Sequence, residues 1–165
     1  MDHTTPKMHL RPELIPPTFD EHLLARLTEL AEALDGGDPK QTVEQLAEFN
    51  RRASTAIEFI EFQGIYGGQD HETWIRAVLS APYVRRIPDI THDELVELTR
   101  RVMEVDGDEA SCHFWLMQLK SNLSPRVSNL IYWPGEYFGH NDYDRDMPPE
   151  KIVEIAMQDE AGIKR

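Results

Sequence analysis

Residues 90–105, ITHDELVELTRRVMEV, carry the pattern that decides the fold. Thr91 and Glu94 stand three residues apart just before an apolar run, which is the signature of a capping box at a helix start. In such a box the hydroxyl accepts from a helical N–H, and the carboxylate accepts from the N–H of the capping residue. Apolar residues then recur at three- and four-residue steps as far as Val105. This spacing predicts an α-helix with one buried face that continues to Val105.

Helix signals recur on both sides of this stretch. Asp70 and Asp108 are candidate N-caps, and residues 18–21, TFDE, have the pattern of a second capping box with Thr18 as the cap. Glycine and proline separate the periodic segments, and no run alternates with period two for long. The sequence therefore predicts an all-α protein.

A proline-rich stretch divides the chain. Residues 81–89 contain Pro82 and Pro88 and have no apolar period, which is typical of a linker. We therefore expect an extended N-terminal arm over residues 1–17, a helical domain over 18–86, and a second helical domain over 88–165. Four helices are expected in the second domain, the third only about one turn long. A gapped similarity between the halves leaves open whether the first domain is a degenerate repeat of the second.

Composition excludes several classes of function. Asp and Glu number 30 against 17 Lys and Arg, for a formal net charge of −13, which argues against nucleic-acid binding because that needs basic residues. No apolar run approaches the roughly 20 residues of a membrane span, and the start lacks a signal-peptide pattern. A single cysteine, Cys112, excludes an internal disulfide and a thiolate zinc cage. We expect a cytoplasmic protein with no metal and no cofactor.

Catalytic and metal templates fail on inspection. His71-Glu72 begins like the zinc-protease motif H-E-x-x-H, but Ile75 stands where the second histidine must be. The acidic segment 142–146 imitates the first ligands of a calcium loop, but Met147 stands where that loop needs glycine. These failures predict that the chain is not an enzyme.

An aromatic pair flanked by carboxylates is the most informative surface feature. Tyr132 and Trp133 precede a Pro-Gly turn, and an acidic segment follows. Aromatic rings supply rigid contact area at protein interfaces, and acids steer a basic partner. A role for these two rings in filling the core remains the alternative. The candidate steering residues are Glu136, Asp142, Asp144 and Asp146.

The second half resembles the immunity proteins that protect bacteria from nuclease bacteriocins of the colicin and pyocin type. The resemblance rests on SPRVSNLIYWP at residues 124–134, against a family stretch reading approximately H-P-x-x-S-D-L-I-Y-Y-P. Residues 91–95, 106–109 and 149–153 match as well, so the resemblance covers about residues 88–158. It implies a distorted antiparallel four-helix bundle with a short third helix. It also implies binding to a toxin's nuclease domain beside the active site, which keeps the nucleic-acid substrate out.

The resemblance also implies site residues. Tyr132 and Trp133 take the places of two tyrosine hot spots, Asn129 stands where the family has an aspartate, and Ser128 and Pro134 match directly. The second helix of the domain, residues 108–122, is where relatives encode toxin specificity. The candidate specificity residues are Asp108, Glu109, His113, Met117 and Lys120.

Three other functions remain open at this point. The leading one is a helical adaptor that binds proteins unrelated to toxins. An enzyme on the first half would use Tyr66, His71 and Glu72. An acidic mimic of nucleic acid would inhibit many unrelated DNA-binding proteins, whereas an immunity protein inhibits one.

Overall fold

The computed structural model describes residues 8–65, 70–134 and 147–163, with the side chains of the last range through Gln158. All regular structure within these residues is helical, which confirms the predicted all-α class for them. The α-helices are α1 Glu21–Leu34, α2 Val43–Ala53, α3 His71–Ser80, α4 His92–Glu104, α5 Glu109–Asn122, α6 Val127–Tyr132 and α7 Pro149–Ile163. Short 3-10 turns cover Pro12–Leu14, Phe59–Phe62 and Ala81–Tyr83.

The predicted capping box at the start of α4 is confirmed. The Thr91 hydroxyl accepts from the N–H of Glu94 at 3.1 Å, and the Glu94 carboxylate accepts from the N–H of Thr91 at 2.9 Å. Asp70 and Asp108 cap α3 and α5 as predicted, each through a side-chain oxygen 2.7 Å from the N–H three residues on. These caps satisfy N–H groups that have no partner within their helices.

Two predicted helix ends are wrong. Asp20, not Thr18, caps α1, because the Asp20 carboxylate accepts from the N–H of Leu23 at 3.0 Å and the helix begins at Glu21. Val105 does not continue the buried face of α4. The helix ends at Glu104, and Val105 takes a left-handed conformation that turns its side chain out to solvent.

The chain forms two compact units. Residues 17–81 form one unit, called here the inserted unit. The described residues up to Pro16 join the described residues from Pro82 onward in the other, called the discontinuous unit. The predicted boundaries thus change in two places. The described part of the arm belongs with the second half, and the boundary before the second half lies at Ala81–Pro82, not at residues 86–88.

Helix α1 packs on α2 and α3 in the inserted unit. Its buried face is Leu24, Leu27, Leu30, Ala31 and Leu34. The Phe49 and Phe62 rings meet edge to face with centroids 4.9 Å apart, and the half-buried Trp74 ring lies against both. This unit therefore has a core of its own.

In the discontinuous unit, α4 packs on α5 and α7, and the short α6 packs on α5 and α7. Leu98, Phe114, Leu119 and Leu130 are fully buried between these helices. Leu14 is buried in the same core, although it precedes the other members of that cluster by at least 70 positions in sequence.

Polar contacts hold the N-terminal segment in place. Trp115 donates from Nε1 to the carbonyl of Leu14 at 2.9 Å, and Gln118 donates to the carbonyl of Glu13 at 3.2 Å. Arg11 donates to Glu94 at 2.6 Å and to Asp89 at 2.8 Å. Residues 8–16 are therefore a packed part of the fold and not an extended arm.

The predicted linker is also packed. Asn122 accepts from the N–H of Ile87 at 2.6 Å and donates to the carbonyl of Arg85 at 2.9 Å. Ile87 is buried in the core of the discontinuous unit. Side chains of α5 therefore replace the backbone partners that an irregular segment lacks, and residues 84–87 are fixed to that helix.

Candidate protein-binding groove

A groove of about 370 Å³ lies on the discontinuous unit where α4 ends and α5 begins. Its wall comes from three helices and is mostly apolar. Val102, Met103 and Val105 come from α4 and its cap, Glu109, Cys112, His113 and Leu116 from α5, and Tyr132 from the end of α6.

The aromatic pair projects outward beside this groove. Tyr132 is 49% exposed and Trp133 is 58% exposed, and their ring centroids are 5.7 Å apart at a tilt of 57°. Helix α6 has only six residues, and its buried positions are Val127, Leu130 and Ile131. These buried positions all precede the pair in the chain, and the two rings lie against each other at the surface. The alternative in which both rings fill the core is wrong.

The other site residues that the resemblance implies lie close to this pair in the chain and are less exposed. Ser128, Asn129 and Pro134 are each half-buried. The carbonyl of Asn129 accepts from the N–H of Trp133 at 2.8 Å, which closes the end of α6. The backbone of this stretch thus fixes where the aromatic rings leave the helix.

The predicted specificity residues divide into two groups. Glu109 and His113 are exposed and line the groove together with Tyr132. Asp108 is exposed, but its carboxylate is the N-cap of α5, and Met117 and Lys120 are half-buried further along the helix.

The prediction missed one wall of the groove. The apolar period places Val102 on the buried face of α4 and Val105 at the end of that face. Cys112 and Leu116 are half-buried and line the groove, and the sequence gives no sign of that position. A helical period identifies the apolar face of a helix, but it does not show how far along the helix neighbouring elements bury that face.

Three side chains of the groove, His113, Tyr132 and Cys112, are uncharged near neutral pH. Partial desolvation of the His113 ring, with a contribution from Lys120, lowers the pKa of His113 below its usual 6.5. Burial also raises the pKa of the Tyr132 phenol and of the Cys112 thiol, the latter helped by nearby Asp108 and Asp106. The wall of the groove therefore combines the Glu109 carboxylate with side chains that are apolar or uncharged.

The residues suggested for an enzyme have structural partners. His71 is buried and its Nε2 lies 3.0 Å from Asp35, while Glu72 is 3.5 Å from Arg76 one turn along α3. No three His, Cys, Asp or Glu side chains of the described ranges converge as a metal site requires. Tyr66 and the steering candidates Glu136, Asp142, Asp144 and Asp146 lie outside the described residues.

None of the helices in the described ranges combines the length and the apolar composition needed to cross a membrane. Comparison with known protein families, with curated proteins and with solved structures finds no match to the chain.

Proposed function

We propose that this chain is an immunity protein that binds the nuclease domain of a bacteriocin and keeps the nucleic-acid substrate out of its active site. The observation that carries the proposal is the outward pair Tyr132–Trp133 beside an apolar groove. Large apolar surface on a protein costs solubility unless a partner covers it. The proposed fold of the discontinuous unit is a distorted antiparallel four-helix bundle made by α4 to α7, with α6 as the short third helix.

Charge supports the choice of partner. The net charge of −13 repels nucleic acid and attracts a basic surface, and a nuclease must be basic where it holds phosphates. Complementary charge accelerates encounter, and an anionic protein bound beside the active site then repels substrate as well. Glu109 is exposed at the groove and supplies one of these charges.

The rings supply the attachment. Tyr132 and Trp133 already contact each other, so little side-chain freedom is lost when a partner covers them. Buried aromatic residues at the centre of an interface commonly contribute about 2 kcal/mol or more each. We therefore infer that the ring pair slows dissociation of the complex and that the acidic charge speeds its association.

Binding of the full chain to a panel of purified, catalytically inactivated bacteriocin nuclease domains tests the proposal. We expect one DNase or RNase domain to bind tightly, and Tyr132→Ala to speed dissociation roughly 30-fold with little change in association. Tyr83→Ala is the matched control, because Tyr83 is 54% exposed on the same unit but lies away from the groove.

Two results would contradict the proposal. Absence of binding to every nuclease of the panel would favour the adaptor hypothesis. Equal dissociation rates for the wild type and Tyr132→Ala, with a bound nuclease, would show that the rings are not the anchor.

A further inference from the structure

Val105 ends α4 in a conformation that valine rarely adopts. Its φ is +52° and its ψ is +53°, and the N–H of Asp106 donates to the carbonyl of Arg101 at 2.9 Å, five residues back. This is the Schellman ending of a helix, in which the left-handed position is usually glycine. A β-branched residue there is a genuine outlier, because its side chain crowds the backbone.

The fold gains little from the Val105 side chain. It is 67% exposed, so it contributes little buried area to the core. Glycine at position 105 would avoid the strain, but the next glycine in the chain is Gly107, two residues further on. Neither backbone geometry nor core packing therefore favours valine at this position.

Val105 does contribute to the groove. Its side chain forms part of the wall that also includes Tyr132 and Leu116. Strain of this kind collects at functional sites, where a side chain must be held in one place.

We propose that Val105 is a specificity-determining contact, which seats an apolar side chain of the nuclease at the centre of a basic surface. This inference rests on the proposed function and adds to it the chemistry of the complementary residue. Charge complementarity supports this occupant, because the wall of the groove is mostly apolar while it includes the exposed Glu109, and the exposed Asp108 directly precedes Glu109 in the chain. A basic rim around an apolar side chain matches that arrangement.

The test replaces Val105 by asparagine in the full chain. Asparagine tolerates the left-handed conformation, so Val105→Asn should raise Tm by about 2–4 °C. It removes the apolar contact, so the Kd for the nuclease domain bound from the panel should rise at least about tenfold. Val105→Ile keeps both the strain and the apolar contact, and both its Tm and its Kd should stay near the wild-type values.

Ser54→Asn is the matched control. Ser54 is exposed at the end of α2 with a φ of +57°, and the N–H of Thr55 donates to the carbonyl of Asn50, five residues back. It thus has the same helix ending in the inserted unit. Its substitution should leave the Kd unchanged without lowering Tm.

Three outcomes would overturn the inference. A bound nuclease whose Kd is unchanged by Val105→Asn overturns it and leaves the proposed function standing. A lowered Tm for Val105→Asn shows that the valine serves the fold and overturns it likewise. If no nuclease binds the wild-type chain, the proposed function fails and this inference fails with it.

Discussion

Trp115 joins the N-terminal segment to α5 through a single indole. The ring is 5% exposed, its Nε1 donates to the carbonyl of Leu14 at 2.9 Å, and the guanidinium carbon of Arg101 lies 5.1 Å from the ring centroid. Aromatic side chains that are buried with a polar atom need such a partner, and a cation over the ring adds a favourable electrostatic contact. One side chain therefore fixes three separate segments of the discontinuous unit.

Trp115→Phe should lower the free energy of unfolding by about 1–3 kcal/mol, because the buried carbonyl of Leu14 loses its donor while most of the apolar area stays. Urea denaturation followed by circular dichroism measures this change. An unchanged urea midpoint would mean that another donor or water replaces the indole.

The start of α4 combines a capping box with an ion pair. Arg11 donates through two nitrogens to the Glu94 carboxylate, at 2.6 Å and 2.7 Å, and through a third to Asp89 at 2.8 Å. Burial alone would raise the pKa of Glu94, but the hydrogen bonds from Arg11 and Thr91 together keep it below its usual value. The hydrogen bond from Arg11 likewise lowers the pKa of Asp89.

Arg11→Gln should make the stability of the chain less sensitive to acid. A carboxylate whose pKa is lower in the folded state stabilises the fold above its unfolded pKa, about 4 for these groups, and loses that contribution as the pH falls further. The variant should therefore be less stable than wild type at pH 7, and the difference should shrink below about pH 4. Chemical denaturation across pH 3–7 gives both curves. A difference that is constant over this range would contradict the role of the ion pair.

The accuracy of the sequence-based prediction depends on how local each signal is. The box at Thr91 and the caps at Asp70 and Asp108 involve atoms three residues apart, so the sequence alone identifies them. The choice of Asp20 over Thr18 is less certain from the sequence, because two residues that can cap a helix stand two positions apart. The left-handed Val105 could not be predicted, because the general preference is for glycine there.

The sequence predicted only part of the candidate site, again because only part of it depends on local signals. Tyr132 and Trp133 adjoin a turn, and their outward position follows from the length of α6, which the proline and glycine after it limit. The opposite wall, with Val102 and Leu116, belongs to apolar faces that continue into the core. Which part of such a face stays open depends on what packs there, and that information is not in the local pattern.

At the scale of the whole molecule, the insertion of one unit into the other could not be read from periodicity. The hydrogen-bond partners of residues 8–14 lie 78 to 105 positions away in sequence, and they are Asp89, Glu94, Arg101, Trp115 and Gln118. A helical period reports only neighbours within a few turns. The segment before α1 has no such period, and it therefore gave no sign of its place in the core.

The inserted unit should be dispensable for the discontinuous one. Ile15 and Tyr83 line the same hollow of about 390 Å³, so a short Gly-Ser linker can join Pro16 to Pro82. We expect a chain of residues 8–16, this linker and residues 82–165 to unfold cooperatively and to keep the nuclease binding that we propose for the full chain. Residues 82–165 alone lack Leu14 and Arg11 and should lose at least about 2–5 kcal/mol of stability, the cost of emptying one large core position.

Thermal unfolding and binding measurements on both chains check this prediction. Equal stability of the two would show that residues 8–16 are not needed. Failure of the linked chain to fold would show that the discontinuous unit depends on residues 17–81.

The burial of Leu14 also sets an order of events on the ribosome. Residues 17–81 are translated before the residues that anchor the preceding segment, of which Asp89 is the first. At about 5–20 residues per second, roughly 100 codons separate Leu14 from Trp115, so the segment waits about 5–20 s for its site. During that interval an apolar stretch of the nascent chain stays exposed. A chaperone that binds such stretches can bind it during this time. The core of the discontinuous unit is thus completed only after the last helix, α7, has been translated.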